Sequence, residues 1–148
     1  FTQNKQCLGY MLSASKIFFQ DNYIENCENC IMSLGGNIIG NVFSSIENCT
    51  INCGGEIIGN TFSSIYQNED TSFLTNSGRL IGNQFTSIRI TGEYVQFIDC
   101  SNSSIISDNY MSIASIPATG SCSLISASGR TLILNNSFST SSSLADNN

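Results

Sequence analysis

The chain has 148 residues, enough for one domain, and its apolar share of 41% suffices for a core only if those residues are regularly placed. Five Lys and Arg stand against eleven Asp and Glu, with no His, and the net charge of −6 excludes nucleic acid as a partner, since phosphate binding rests on clustered cations. Ser, Thr, Asn and Gly dominate the polar residues, which suits turns and hydroxyl-bearing strands rather than salt-bridged helices.

Apolar or Cys-bearing runs occur at residues 7–12, 30–34, 49–53, 73–74, 94–100 and 122–125, and each is followed by a repeated motif. The motif is clearest at 35–46, Gly-Gly-x-Ile-Ile-Gly-Asn-x-Phe-Ser-Ser-Ile, which returns at 54–65 and in looser form at 77–88. Aligned on its Asn it occurs six times, at Asn22, Asn41, Asn60, Asn83, Asn109 and Asn136. Three positions earlier stand Phe19, Ile38, Ile57, Leu80, Ile106 and Ile133; two positions later stand Ile24, Phe43, Phe62, Phe85, Met111 and Phe138. A further rank five positions after the Asn, namely Cys27, Ile46, Ile65, Ile88, Ala114 and Ser141, fades toward the C-terminus.

A spacing of two within each run is the strand period, and no copy fits the helical period. The Asn is expected to take the left-handed bend between two strands and to pass hydrogen bonds along a stack of copies about 4.8 Å apart. One coil cannot bury its inner face alone, so the repeats predict stacking. The expected fold is all-β: a single-stranded parallel β-helix, or β-solenoid, of about six coils with three short strands each. It forms one domain over residues 1–148, ending in a polar tail at 141–148.

The Ile-x-Gly-Asn-x-Phe repeats resemble those of right-handed parallel β-helix proteins, the pectate-lyase-like superfamily, over about residues 7–140. This resemblance implies a right-handed coil with the Asn rank between the second and third strands. Gly35-Gly36-Asn37-Ile38 and Gly54-Gly55-Glu56-Ile57 are also similar to the Gly-Gly-x-Ile half of repeats in bacterial polymorphic outer-membrane adhesins. Where those repeats continue with Phe-x-x-Asn, this chain has Phe43-Ser-Ser-Ile46 and Phe62-Ser-Ser-Ile65.

Polysaccharide lyases and hydrolases of this superfamily need a calcium-binding Asp cluster with a basic residue, or close Asp with a His and a cation. Here Asp21, Asp70, Asp99, Asp108 and Asp146 fall in different copies, and the adjacent pair Glu69-Asp70 reads as a solvated loop. No enzyme, catalytic residue, metal or cofactor is expected. Cys27-Glu-Asn-Cys30 and Cys49-x-x-x-Cys53 could together suit a zinc ion, but Cys30 and Cys49 share one repeat position and read better as a buried thiol ladder or a disulfide. Cys7 with Cys27 or Cys30, and Cys100 with Cys122, are further disulfide candidates. Seven cysteines point to an oxidising, extracellular setting, and the start at Phe1 suits a trimmed secreted chain. Asn48, Asn102 and Asn135 head N-glycosylation sequons.

Two outer ranks are candidate contact surfaces. Ser44, Ser63, Thr86, Ser112 and Ser139 form a flat hydroxyl strip, a solvated face or a glycan contact. Ile39, Ile58, Ile81 and Leu134 lie beside inward residues and are expected to face outward as a lateral contact, unless the corner tucks them in. Neither terminus reads as a cap, and no apolar run is long enough to span a membrane. The expected function is a non-enzymatic extracellular structural protein that assembles with itself end to end. A monomeric surface adhesin or glycan-binding module is the alternative, and a lyase- or hydrolase-like enzyme the second alternative.

Overall fold

The computed structural model of the chain describes residues 9–14, 18–101, 105–117 and 119–140. It is a β-solenoid without helices among these residues. One six-stranded sheet stacks β1 (Gly9–Ala14), β4 (Cys30–Leu34), β7 (Thr50–Cys53), β10 (Leu74–Asn76), β13 (Gln96–Ser101) and β16 (Ser123–Ser128). A second stacks β2 (Phe18–Gln20), β5 (Asn37–Ile39), β8 (Ile57–Ile58), β11 (Arg79–Ile81), β14 (Ile105–Ser107) and β17 (Leu132–Leu134). The third stacks β3 (Tyr23–Glu28), β6 (Val42–Glu47), β9 (Thr61–Gln67), β12 (Gln84–Ile90), β15 (Tyr110–Ser115) and β18 (Ser137–Thr140). Every neighbouring pair is parallel, and each coil gives one strand to each sheet.

Register follows the repeat. Phe19 pairs with Ile38, Ile38 with Ile57, Ile57 with Leu80, Leu80 with Ile106 and Ile106 with Ile133, so like positions stack directly. In the third sheet Phe43, Phe62 and Phe85 stack face to face with ring centroids 4.8 Å apart, the spacing of the coils themselves. Phe73 and Phe97 form a second stack, 5.1 Å apart, that meets the first edge-on. Each of these rings is fully buried; at about 1.5–3 kcal/mol per buried large side chain, these ranks carry most of the stability.

Two expectations are corrected here. The left-handed corner residue is not the ladder Asn but the one before it: Asp21, Gly40, Gly59, Gly82, Asp108 and Asn135 all have φ between 51° and 64°. Gly, Asp and Asn tolerate that region best, which releases the following Asn to act as a hydrogen-bonding rung. The rank five positions after the Asn breaks at the fifth coil, where Ile113 rather than Ala114 pairs with Ile88 and Ala114 is exposed. In β6, β9 and β12 a left-handed Ser (Ser45, Ser64, Ser87) separates two inward residues spaced by three; no such residue interrupts β15, so its inward residues keep the plain spacing of two. Ser141 and the polar tail at 141–148 lie outside the described residues.

The Gly-Gly pairs have a separate cause. A Cβ on Gly55 would sit 2.4 Å from the Gly36 carbonyl oxygen, and one on Gly78 would sit 2.0 Å from that of Gly55. Successive coils approach there backbone to backbone, and only glycine fits.

Candidate functional site

The Asn rank forms a continuous polar ladder. The backbone N–H of Asn22 donates to Asn41 Oδ1 at 2.8 Å, and the same contact runs from Asn41 to Asn60, Asn60 to Asn83, Asn83 to Asn109 and Asn109 to Asn136 at 2.8–3.1 Å. Each Nδ2 of the five donating rungs also donates to the Oδ1 of the next. Backbone carbonyls of the preceding coil take a further Nδ2 bond: Phe19 from Asn41, Ile38 from Asn60, Ile57 from Asn83, Leu80 from Asn109 and Ile106 from Asn136. The four inner rungs are buried, and satisfying their amides is what makes that burial tolerable.

The ladder has a direction, and its two ends differ. Among the described residues, Asn22 Oδ1 accepts no bond and the backbone N–H of Asn136 donates none. The neighbouring corner repeats this: the N–H groups of Asp21, Gly40, Gly59, Gly82 and Asp108 each donate to a carbonyl of the following coil, and that of Asn135 donates to no carbonyl among the described residues. Packing differs as well. The inward residues of the first coil, Phe19 and Ile24, are 6% and 1% exposed, but their counterparts Ile133 and Phe138 in the last coil are 53% and 50% exposed. Among the described residues, the inward side chains of the last coil are therefore half uncovered where those of the first are covered.

The candidate lateral rank does stack, as Gln20, Ile39, Ile58, Ile81, Ser107 and Leu134 in consecutive strands. Ile39, Ile58 and Ile81 are half-buried and Leu134 is exposed, so they face outward and are not tucked into the core. Buried Ser107 interrupts the line. In the flanking outer column Glu56 pairs with Arg79, a surface ion pair of small energetic worth.

The hydroxyl strip is not flat. Ser44, Ser63 and Thr86 are half-buried in register behind Glu25, and Ser112 pairs with Ser139, whose Oγ lies 2.9 Å from the Tyr110 hydroxyl. The exposed hydroxyls are instead the left-handed Ser45, Ser64 and Ser87, which kink their strands. These kinks form a trough along the solenoid axis. It consists of two adjoining hollows of about 510 and 400 Å³ that share Glu47, Ser64 and Tyr66. Glu28 and Ser45 line the first, Ser87 and Arg89 the second. Arg89 lies over the Tyr66 ring, 5.4 Å from its centroid. Sequence reading missed this trough because two adjacent serines give no sign which one turns left-handed.

Cys27, Cys30, Cys49, Cys53, Cys100 and Cys122 are present as thiols, and Cys7 lies outside the described residues. Cys30 Sγ donates to the Glu28 carbonyl at 3.3 Å and Cys49 Sγ to the Glu47 carbonyl at 3.2 Å, while the Cys30 N–H meets Cys49 Sγ at 3.4 Å. Cys30 and Cys49 thus form the thiol-ladder alternative, not a disulfide. Cys100 pairs in register with Ala127, five positions beyond the site opposite Cys122, so the expected Cys100–Cys122 bridge is excluded by distance. Desolvation by burial pushes the Cys49 thiol up from 9.0 to about 11, with the nearby Cys27 adding to the rise. The described residues hold no group of three or more His, Cys, Asp or Glu arranged for a metal ion.

Among the sequon residues, Asn48 occupies a left-handed corner and its Oδ1 accepts the Asn68 N–H at 3.0 Å. Asn135 is an exposed left-handed corner residue, and Asn102 lies outside the described residues. Asp70 Oδ1 accepts the Tyr94 N–H at 3.0 Å, so the Glu69-Asp70 loop braces the corresponding loop of the next coil. No helix among the described residues is long and apolar enough to cross a membrane. Compared with known families, with characterised proteins and with solved structures, the chain gives no match.

Proposed function

We propose that this protein is a non-enzymatic structural solenoid that acts outside the cell and associates through its end. The observation that carries this reading is the last coil, where Ile133 and Phe138, inward residues by register, stand half uncovered. An open solenoid end combines apolar side chains with unpaired strand edges, and association relieves both costs at once. Right-handed coiling and kinship with the pectate-lyase-like repeats belong to the proposal; they rest on the Ile-x-Gly-Asn-x-Phe pattern and on the general hand of parallel crossovers. The described cysteines add nothing to the extracellular placement, because Cys27, Cys30, Cys49, Cys53 and Cys100 are accounted for by packing as buried thiols. That placement rests on the low-charge, Ser- and Asn-rich composition. Sedimentation velocity over a concentration series tests the reading: wild type is expected to enter larger species as concentration rises, and Phe138→Lys to remain monomeric with its fold intact. A wild type that stays monomeric at millimolar concentration overturns it.

The trough favours a second reading, a surface module that holds an extended neutral glycan against Ser45, Ser64 and Ser87. Carboxylates and a guanidinium beside repeated hydroxyls offer the paired donors and acceptors that sugar hydroxyls need. Affinity electrophoresis against neutral polysaccharides, comparing wild type with Ser64→Lys, checks it. Retardation lost in the variant supports this reading; equal mobility in every polysaccharide gel removes it.

A further inference from the structure

We infer that the trough on the third sheet takes a glycan of N-acetylated amino sugars, one acetamido group of which spans Glu47, Tyr66 and Arg89. This rests on the neutral-glycan reading above and adds to it the class of sugar. Glu28, Glu47, Tyr66 and Arg89 follow one another in register on four successive strands, so they form one column along the trough. Beside that column runs the rank of exposed hydroxyls, Ser45, Ser64 and Ser87. The charges of the column are not answered within the fold. Glu28 and Glu47 lie opposite each other as like charges, an arrangement that costs stability. Among the described residues the Glu47 carboxylate takes no hydrogen bond and no ion pair, and the Arg89 guanidinium donates to no acceptor, resting over the Tyr66 ring at 5.4 Å.

The trough therefore holds a group that only accepts and a group that only donates, one on each side of an aromatic ring. Successive coils are 4.8 Å apart, which puts Glu47 and Arg89 about 10 Å apart along the wall. A trans secondary amide points its N–H and its C=O in opposite directions. With a hydrogen bond of about 2.9 Å at each end it covers most of that distance, and the flexible Glu and Arg stems close the remainder. The N–H then donates to Glu47, the carbonyl accepts from Arg89, and the acetamido methyl is left against Tyr66. Other chains fit less well. Uronate or sulfated chains set anions against Glu28 and Glu47 in a protein of net charge −6. A plain glucan serves the serine rank but brings no group with a fixed, opposed donor and acceptor. A peptide brings such amides but lacks the hydroxyls on every unit that the serine rank pairs with.

The test uses the full chain in isothermal titration calorimetry against soluble β-1,4-linked oligomers of N-acetylglucosamine, glucose and glucosamine, all of one length. The N-acetylated oligomer is expected to bind roughly tenfold more tightly than the glucose oligomer, the worth of one hydrogen bond to a charged group. Glu47→Ala and Arg89→Ala, checked for fold by circular dichroism, are each expected to abolish that preference while retaining the weaker binding. Glu56→Ala, on the face of the second sheet, is expected to leave the preference unchanged. Equal binding of the glucose and N-acetylated oligomers, lost in Ser64→Lys, overturns the acetamido assignment while leaving the neutral-glycan reading standing. Tightest binding of the glucosamine oligomer overturns it too, because the carboxylates then answer a cation. Equal competition by an uncharged Gly-Ser peptide overturns the choice of a sugar, and binding of none of the oligomers removes both readings.

Discussion

At the scale of the residue, the ladder Asn and the residue before it divide a task that the sequence made look like one. The preceding Asp21, Gly40, Gly59, Gly82, Asp108 or Asn135 turns the backbone into the left-handed region, and the Asn then holds the neighbouring coils together. Asn60→Ala removes the acceptor for the buried Asn41 N–H and two carbonyl contacts, and is expected to cost about 3 kcal/mol in urea unfolding. Gly59 has open space around its Cβ position, so Gly59→Ala should cost only the left-handed strain, about 1 kcal/mol, and Gly59→Asn less. Because the folded Cys49 thiol is raised to about 11, its contribution to stability is complete below the ordinary value of 9.0 and is lost as pH climbs through 11. Thermal unfolding followed between pH 8 and 11 should show that decline, flattened in Cys49→Ala.

Elements obey the same stacking rule, strand upon strand in register. The Phe43, Phe62 and Phe85 stack was legible from spacing alone, because identical residues at one repeat position must lie over one another. The crossing stack of Phe73 and Phe97 was not, since the connections before those residues differ in length and hide their common position. Phe62→Ala, at the junction of both stacks, is expected to lose about 4 kcal/mol. Gly78→Ala forces a methyl into the Gly55 carbonyl and should cost about 3 kcal/mol in the same measurement, far more than Gly59→Ala at its exposed corner. The kink in the third sheet shows where reading by alternation fails. Ser44 and Ser45 have the same chemistry, and only the backbone decides that Ser45 is the left-handed, exposed one.

For the molecule as a whole, directionality is the main consequence of building a wall from parallel strands. Parallel stacking points every ladder donor one way, so the two ends cannot be equivalent, and here they differ in packing as well as in hydrogen bonding. The fold, the coil number and the identity of the rungs follow from the sequence by itself, because a repeat that cannot bury its inner face alone leaves stacking in register as the physical solution. Tertiary structure alone decided the rest: which residue of each corner turns left-handed, that the Cys30 and Cys49 thiols bond to carbonyls rather than to each other, and that the outer hydroxyls form a trough instead of a flat strip. Those outcomes depend on backbone torsion and on which side of a strand a group emerges, and residue type constrains neither where Ser follows Ser or Ile follows Ile. The last described coil belongs with them, because the sequence marks Ile133 and Phe138 as inward residues and only the assembled coils show that they stand half exposed.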